Sequence, residues 1–419
     1  FNAVNVVGGT DVTINNTDFS ADVISVEMDA ALTFGETSSV SLGAFTGIEL
    51  ATSSSFTNQG LITASNEAIL GQGDGISVQN TGTLTVNGAG VAVIGSNATI
   101  TNMGNIIVAS NLGSDSGFSA DALSIIGGEN NSITNSGMIG TNGLLSAGIA
   151  AVGQTGSVLL NSGDITTQAG ASDGIFAANF QDGSISNTGT ITTSATGSSG
   201  INVLDSNTTV SNSGTIVTNG DMTAAVSINE GSLGEGIVDF TNSGVITANG
   251  VDGQGVLANG DVVMIANTGA IDAASDGAGV LIEANTILVE NSGTISTNST
   301  EDAALQLVNL MSGDVNMTMV ENSGTLQSEG VAFLSEFAPT LLVNTGDIVG
   351  DVVIDGAEGT VSNSGSITGD VSFSDGNDNF INTGLLTGNV SLAGGADRAE
   401  FDVSTSSVSG LIDGGVGID

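Results

Sequence analysis

Oxygen ligands and carboxylic acids are nearly the whole chemical repertoire of this chain. Its 419 residues carry 44 Asp and Glu, one basic residue, Arg398, and no His or Cys, for a formal charge of −43. Carboxylates at turns can supply the hard oxygens that Ca²⁺ takes, and a facing pair can act as acid and base on a glycosidic bond. Spacing concentrates them near the C-terminus. Asp375 and Asp378 lie in Asp375-Gly376-Asn377-Asp378, Asp397 closes Gly394-Gly395-Ala396-Asp397, and Asp413 and Asp419 bracket Gly414-Gly415-Val416-Gly417-Ile418. These five are the candidate Ca²⁺ ligands, and no other cofactor is expected. The competing reading is of plain acidic turn residues without metal, and Arg398 would place a positive charge beside the site.

Other chemistries lack their residues. A Ser-His-Asp triad needs His, and a polyuronate lyase needs a base together with cations for its substrate. A two-carboxylate glycoside hydrolase stays open, but the chain has no Trp or Tyr on which to stack sugar rings. A non-enzymatic protein is therefore expected. So acidic a surface repels nucleic acid, anionic lipid and acidic polysaccharide and attracts divalent cations. With one Arg and no Lys it also offers trypsin-like proteases a single cleavage point, which suits an exposed extracellular protein. Disulfides and thiolate metal sites are excluded, so stability has to come from repetition. No run of 18 apolar residues exists, so direct membrane insertion is not expected. The start at Phe1, without a signal-peptide pattern, suggests a processed or partial chain.

The elements that position these residues are repeats. With 63 Gly and 14 Phe but 39% hydrophobic residues, the core has to be filled by small branched side chains, which suits stacked strands. An Asn-x-Gly-x-Ile/Leu unit recurs with Asn58, Asn80, Asn102, Asn135, Asn161, Asn187, Asn212, Asn242, Asn267, Asn291, Asn322, Asn344, Asn363 and Asn382, at spacings from 19 to 33 that centre near 25. That is about one turn of a three-faced solenoid. The residue two before each Asn, from Phe56 to Phe380, and the residue four after it, from Ile62 to Leu386, are apolar without exception. The residue just before Asn varies from Thr57 to Glu290, as an outward position in a period-2 strand should. By this alternation the Asn points inward at a corner, where its amide needs partners from the coils above and below. The invariant Gly two residues later, from Gly60 to Gly384, suggests a turn with positive φ.

A second face is marked by a small residue opening an apolar strand, as in Gly148-Ile149, Gly174-Ile175, Gly200-Ile201, Ala225-Val226, Gly255-Val256 and Ala304-Leu305. Insertions are expected at residues 111 to 119, Glu230 to Gly236 and Leu310 to Met319, as flanking loops open to partners. Three segments follow: irregular N-terminal coils over 1–55, a main solenoid over 56–343, and a solenoid of 19-residue coils over 344–419 with Asp/Gly-rich turns.

The units Asn135-Ser136-Gly137-Met138-Ile139, Asn187-Thr188-Gly189-Thr190-Ile191 and Asn363-Ser364-Gly365-Ser366-Ile367 resemble those of bacterial autotransporter passengers and related large β-helical adhesins. The likeness covers residues 56 to 419 and implies an all-β, right-handed parallel β-helix (β-solenoid) of about 25-residue and then 19-residue coils. It also implies a place outside the cell or on the bacterial surface, in adhesion, surface display or coating. The outer-membrane barrel usual at the C-terminus of such proteins is missing from this sequence. The Gly414–Asp419 run is similar to a calcium-binding nonapeptide of the RTX β-roll, and the turns at Asp375–Asp378 and Gly394–Asp397 are looser versions. Partners are then other cell-surface molecules, or the chain itself, stacked end to end into an extracellular filament. Ice binding would use a threonine row five residues after Asn, but Ile107, Gly140, Val217, Asp272 and Gln327 break it. Roughly 17 coils at about 4.8 Å each would make a rod about 80 Å long.

Overall fold

The structure, a computed structural model, describes residues 3–15, 18–43, 47–109, 120–230, 236–309, 317–356, 358–402 and 407–417. Most of the three expected insertions, and Asp419, lie outside the described residues. Contacts divide the chain into two units, Phe1–Gly220 and Asp221–Asp419. Among the described residues every regular element is a strand.

In the first unit the chain winds through three faces, each a parallel stack. One face runs from Ala3–Val6 through Ile69–Gln72 to Ile201–Leu204, the second from Asp11–Ile14 through Ser55–Asn58 to Thr208–Asn212, and the third from Asp18–Ala21 through Leu61–Ala64 to Thr215–Thr218. This is a parallel β-helix. Its strands are short, mostly four residues, and rich in Val, Ile and Thr, whose branched side chains suit a pleated surface. Alternation sends one set of these inward. Phe56, Val78, Ile100, Ile133, Leu159, Ile185 and Val210 are buried on the second face, and Ile62, Leu84, Ile106, Ile139, Ile165, Ile191 and Ile216 on the third. Burying each such side chain stabilises the fold by about 1.5–3 kcal/mol. Residues before the first Asn-x-Gly unit wind in register with the rest. Ile14 pairs with Phe34, and Phe34 with Asn58, so an aromatic ring stands where the asparagine column begins.

The second unit also winds through three parallel-stacked faces, with longer continuous strands. Val256–Asn267 and Val280–Asn291 run 12 residues each across the corner between the first two faces. Thr325–Glu336 passes from the third face to the first, pairing Leu326 with Ile348 and Phe333 with Val352 across two register shifts. From Asn344 the coil shortens to 19 residues, with Asn344, Asn363 and Asn382 in strict register.

Candidate functional site

Each repeat asparagine ends a second-face strand with its side chain turned inward, and all fourteen are buried. In the first unit the amide of Asn58 donates to Asn80 Oδ1 at 2.8 Å, and the relay continues through Asn102, Asn135, Asn161 and Asn187 to Asn212 at 2.7–2.8 Å per rung. The second unit repeats it from Asn242 through Asn267, Asn291, Asn322, Asn344 and Asn363 to Asn382. The other amide hydrogen turns back to the carbonyl of the Gly two residues on, as from Asn161 to Gly163 at 3.1 Å. A primary amide is the one uncharged side chain able to donate and accept along such a column while also closing its own corner. Aromatic rings stand where the first unit's asparagine run begins and where the second unit's run ends. Phe34 packs edge-on against Phe56 at 5.5 Å, and Phe401, in register with Asn382, packs against Phe380 at 5.8 Å.

The glycine after each Asn is not in the left-handed region, against the sequence expectation of a positive-φ turn. Its cause is close approach instead. A Cβ on Gly163 would lie 2.0 Å from the carbonyl oxygen of Gly137 one coil earlier, and Gly82, Gly104, Gly189, Gly293, Gly324 and Gly365 show the same 2.0–2.1 Å clash with their predecessors. At this corner backbone stacks directly on backbone. Asp164 N donates to Gly137 O at 2.9 Å, and Ser162 N to Asn135 O at 2.7 Å. Positive φ does occur at a different corner, at Gly350 and Gly369 of the short coils.

A second ladder has no counterpart in the sequence reading. Thr141, Thr167 and Thr193, six residues after their asparagines, donate to the carbonyls of Ser146, Ser172 and Ser198, while the amides of Ser146 and Ser172 donate to the hydroxyl of the next serine. All six are fully buried. Their recurrence over three coils was the available signal, hidden because Thr and Ser also fill exposed turns.

The carboxylates singled out near the C-terminus do not converge on one point. Asp375 is exposed, and Asp413 is exposed with its Oδ1 accepting from Gly415 N at 3.0 Å. Asp378 and Asp397 are brought together, one coil apart and both buried. Asp378 Oδ1 accepts from Gly359 N at 2.6 Å, Asp397 Oδ1 accepts from Asp378 N at 2.9 Å, and both Oδ2 atoms are buried without a partner. Burial, with the charges of Asp397 and Glu358, pushes the Asp378 carboxyl up to about 6 against the pull of the Gly359 hydrogen bond. Arg398 is exposed and pairs with Glu400. Ca²⁺ takes six to eight oxygens. The pair offers two carboxylate oxygens, and among the described residues no group of three acidic side chains assembles. The turn aspartates also share a backbone-capping role. Asp351 Oδ1 accepts from Asp370 N, and Asp370 Oδ1 from Asn389 N, both at 2.8 Å.

A different acidic site lies in the first unit. Register places Glu67, Ala89, Asp121, Ala147, Asp173 and Ser199 in one column at the entry to the first face. Acid thus stands on every second coil. The alternation has a physical reason: Asp121 Oδ1 reaches forward to Ala147 N, and Asp173 Oδ1 to Ser199 N, each at 2.7 Å, so the next coil supplies an amide where a second carboxylate would repel. Asp173 Oδ2 accepts from Asn202 Nδ2 at 2.9 Å. Desolvation outweighs these bonds and pushes the Asp173 carboxyl up to about 6. Asp121 and Asp173 line a groove of about 350 Å³ with Ile126, Leu145, Ala150, Val152 and Phe176. In the sequence neither aspartate belongs to a motif, and only the coil register aligns them.

Fold and columns together define a parallel β-solenoid repeat protein. No protein-family model, curated protein or solved structure matches this chain.

Proposed function

We propose that this chain is a non-enzymatic structural scaffold of the bacterial surface or extracellular space, serving adhesion, surface display or coating. The observation that carries the proposal is the pair of stacked columns, Asn on Asn and Gly on Gly, repeated coil after coil within each unit. The residues most constrained in this sequence are spent on joining one coil to the next, which is what a scaffold extended by repetition requires. The charge of −43 with a single basic residue supports an extracellular setting, where solubility and resistance to trypsin-like proteolysis both matter. The resemblance of the Asn-x-Gly units to autotransporter passengers and β-helical adhesins points the same way. Antibody raised against the chain should label intact, unpermeabilised cells of the source organism. Labelling that requires cell lysis would overturn the proposal.

A further inference from the structure

The scaffold role makes no use of the groove beside Asp121 and Asp173. Two features of it point outward. Its carboxylates stand two coils apart, about 9.6 Å at about 4.8 Å per coil, with Ala147 between them. They are also buried, 5% and 8% exposed, in a unit that contains no Lys, Arg or His. A cation that neutralises them has to come from another molecule. A carboxylate has about four acceptor positions, so the bonds from Ser199 and Asn202 leave Asp173 with capacity for more.

We propose that this groove binds a linear aliphatic diamine, with one ammonium at each carboxylate and the methylene chain along Ala147, Ala150, Val152 and Phe176. Charge-assisted N–H···O bonds are about 2.8 Å long, so one ammonium cannot reach both carboxylates across two coils. A bare metal ion, with oxygen ligands at about 2.4 Å, reaches less far. Two ammonium groups joined by a hydrocarbon stem match both the spacing and the apolar wall. The raised carboxyl of Asp173 fits this occupant, because it reports a buried charge without a counterion.

The test is calorimetric titration of the full chain with putrescine and cadaverine, at physiological ionic strength to damp general attraction to the acidic surface. The expected result is one saturable site, with n-butylamine weaker by about tenfold or more. Asp173→Asn should weaken diamine binding about tenfold or more. Its fold should survive, because the unpartnered Asn202 Oδ1 can accept from the new amide after a flip. Val152→Phe, at an outward strand position, should fill the groove and give the same loss without a change of charge. Asp164→Asn removes an exposed acid of the same unit and should leave binding intact. Equal binding of n-butylamine, equal loss in Asp164→Asn, or retention in both groove variants would overturn the proposal. So would saturable binding of a neutral oligosaccharide in place of the diamines.

Discussion

Replacing Asn161 with Ala interrupts the amide relay in the middle of the first unit. Asn187 Oδ1 loses its donor at 2.8 Å, Asn135 Nδ2 loses its acceptor at 2.7 Å and keeps only the 3.4 Å bond to Gly137 O, and Gly163 O loses the 3.1 Å bond that closes its corner. Asn135 and Asn187 are fully buried, so water cannot replace what is lost. At about 1–3 kcal/mol for each orphaned buried group, the two amide partners and the weakened corner together cost about 3–6 kcal/mol. Repeat arrays open locally, so a single global unfolding energy is the wrong measure. Hydrogen exchange at Ser162, Gly163 and Asp164, whose amides bond the preceding coil, reads the affected corner directly. Protection there should fall by about 100- to 10,000-fold, at about tenfold per 1.4 kcal/mol, while Gln168→Ala, an exposed change on the same coil, leaves it unaltered. The double variant Asn135→Ala/Asn161→Ala should cost less than the sum of the singles, because both remove one shared bond. A fall of less than about fivefold, under 1 kcal/mol, would refute the view that the relay holds the coils together.

Gly163→Ala should lower the melting temperature sharply, since its Cβ meets backbone at 2.0 Å, whereas Gly140→Ala, with nothing within 4 Å of its Cβ, should be tolerated; scanning calorimetry of the pair checks this. For Asp173 the folded carboxyl is raised from 3.8 to about 6, so its contribution is fully present below about pH 4 and is lost as pH rises through 6. The shift corresponds to about 3 kcal/mol, and urea titrations across that window should show the parent losing more stability than Asp173→Asn by about that amount. Asp378 is raised in the same direction, so Asp378→Asn should stabilise the short-coil segment at neutral pH, its new amide donating to the unpartnered Asp397 Oδ2. The same melting curves, run with millimolar Ca²⁺ and then with chelator, test the pair as a cation site. A calcium-dependent gain that Asp378→Asn abolishes assigns it that role, and no gain leaves backbone capping as its role.

The winding was legible because its signals repeat at fixed offsets. An inward residue two before Asn and another four after it mark two faces and their corner without reference to any distant part of the chain. The glycine at that corner was legible as a requirement but not in its cause. Sequence shows that a Cβ is avoided, while only the stacked coils show that a neighbouring carbonyl, rather than a positive φ, forbids it at Gly163. The Asp121–Asp173 column was invisible, because the intervals between its members vary with coil length and acids alternate in it with the small residues Ala89, Ala147 and Ser199. Near the C-terminus, composition grouped aspartates that the fold separates. Asp378 and Asp397 share a column, whereas Asp375 and Asp413 each face solvent.

The rung between Asn102 and Asn135 spans 33 residues and that between Asn344 and Asn363 spans 19, yet both close at 2.7 Å. A coil in this protein is therefore defined by where it returns, not by how far it travels. A segment that leaves one Asn-x-Gly corner, lays its strands in register on the other faces and comes back to the next is admissible, whatever length its loops take. Mutation can then lengthen or trim the loops between strands without renegotiating the core, and new surface can be acquired one coil at a time while the corner acts as the punctuation that keeps the chain readable.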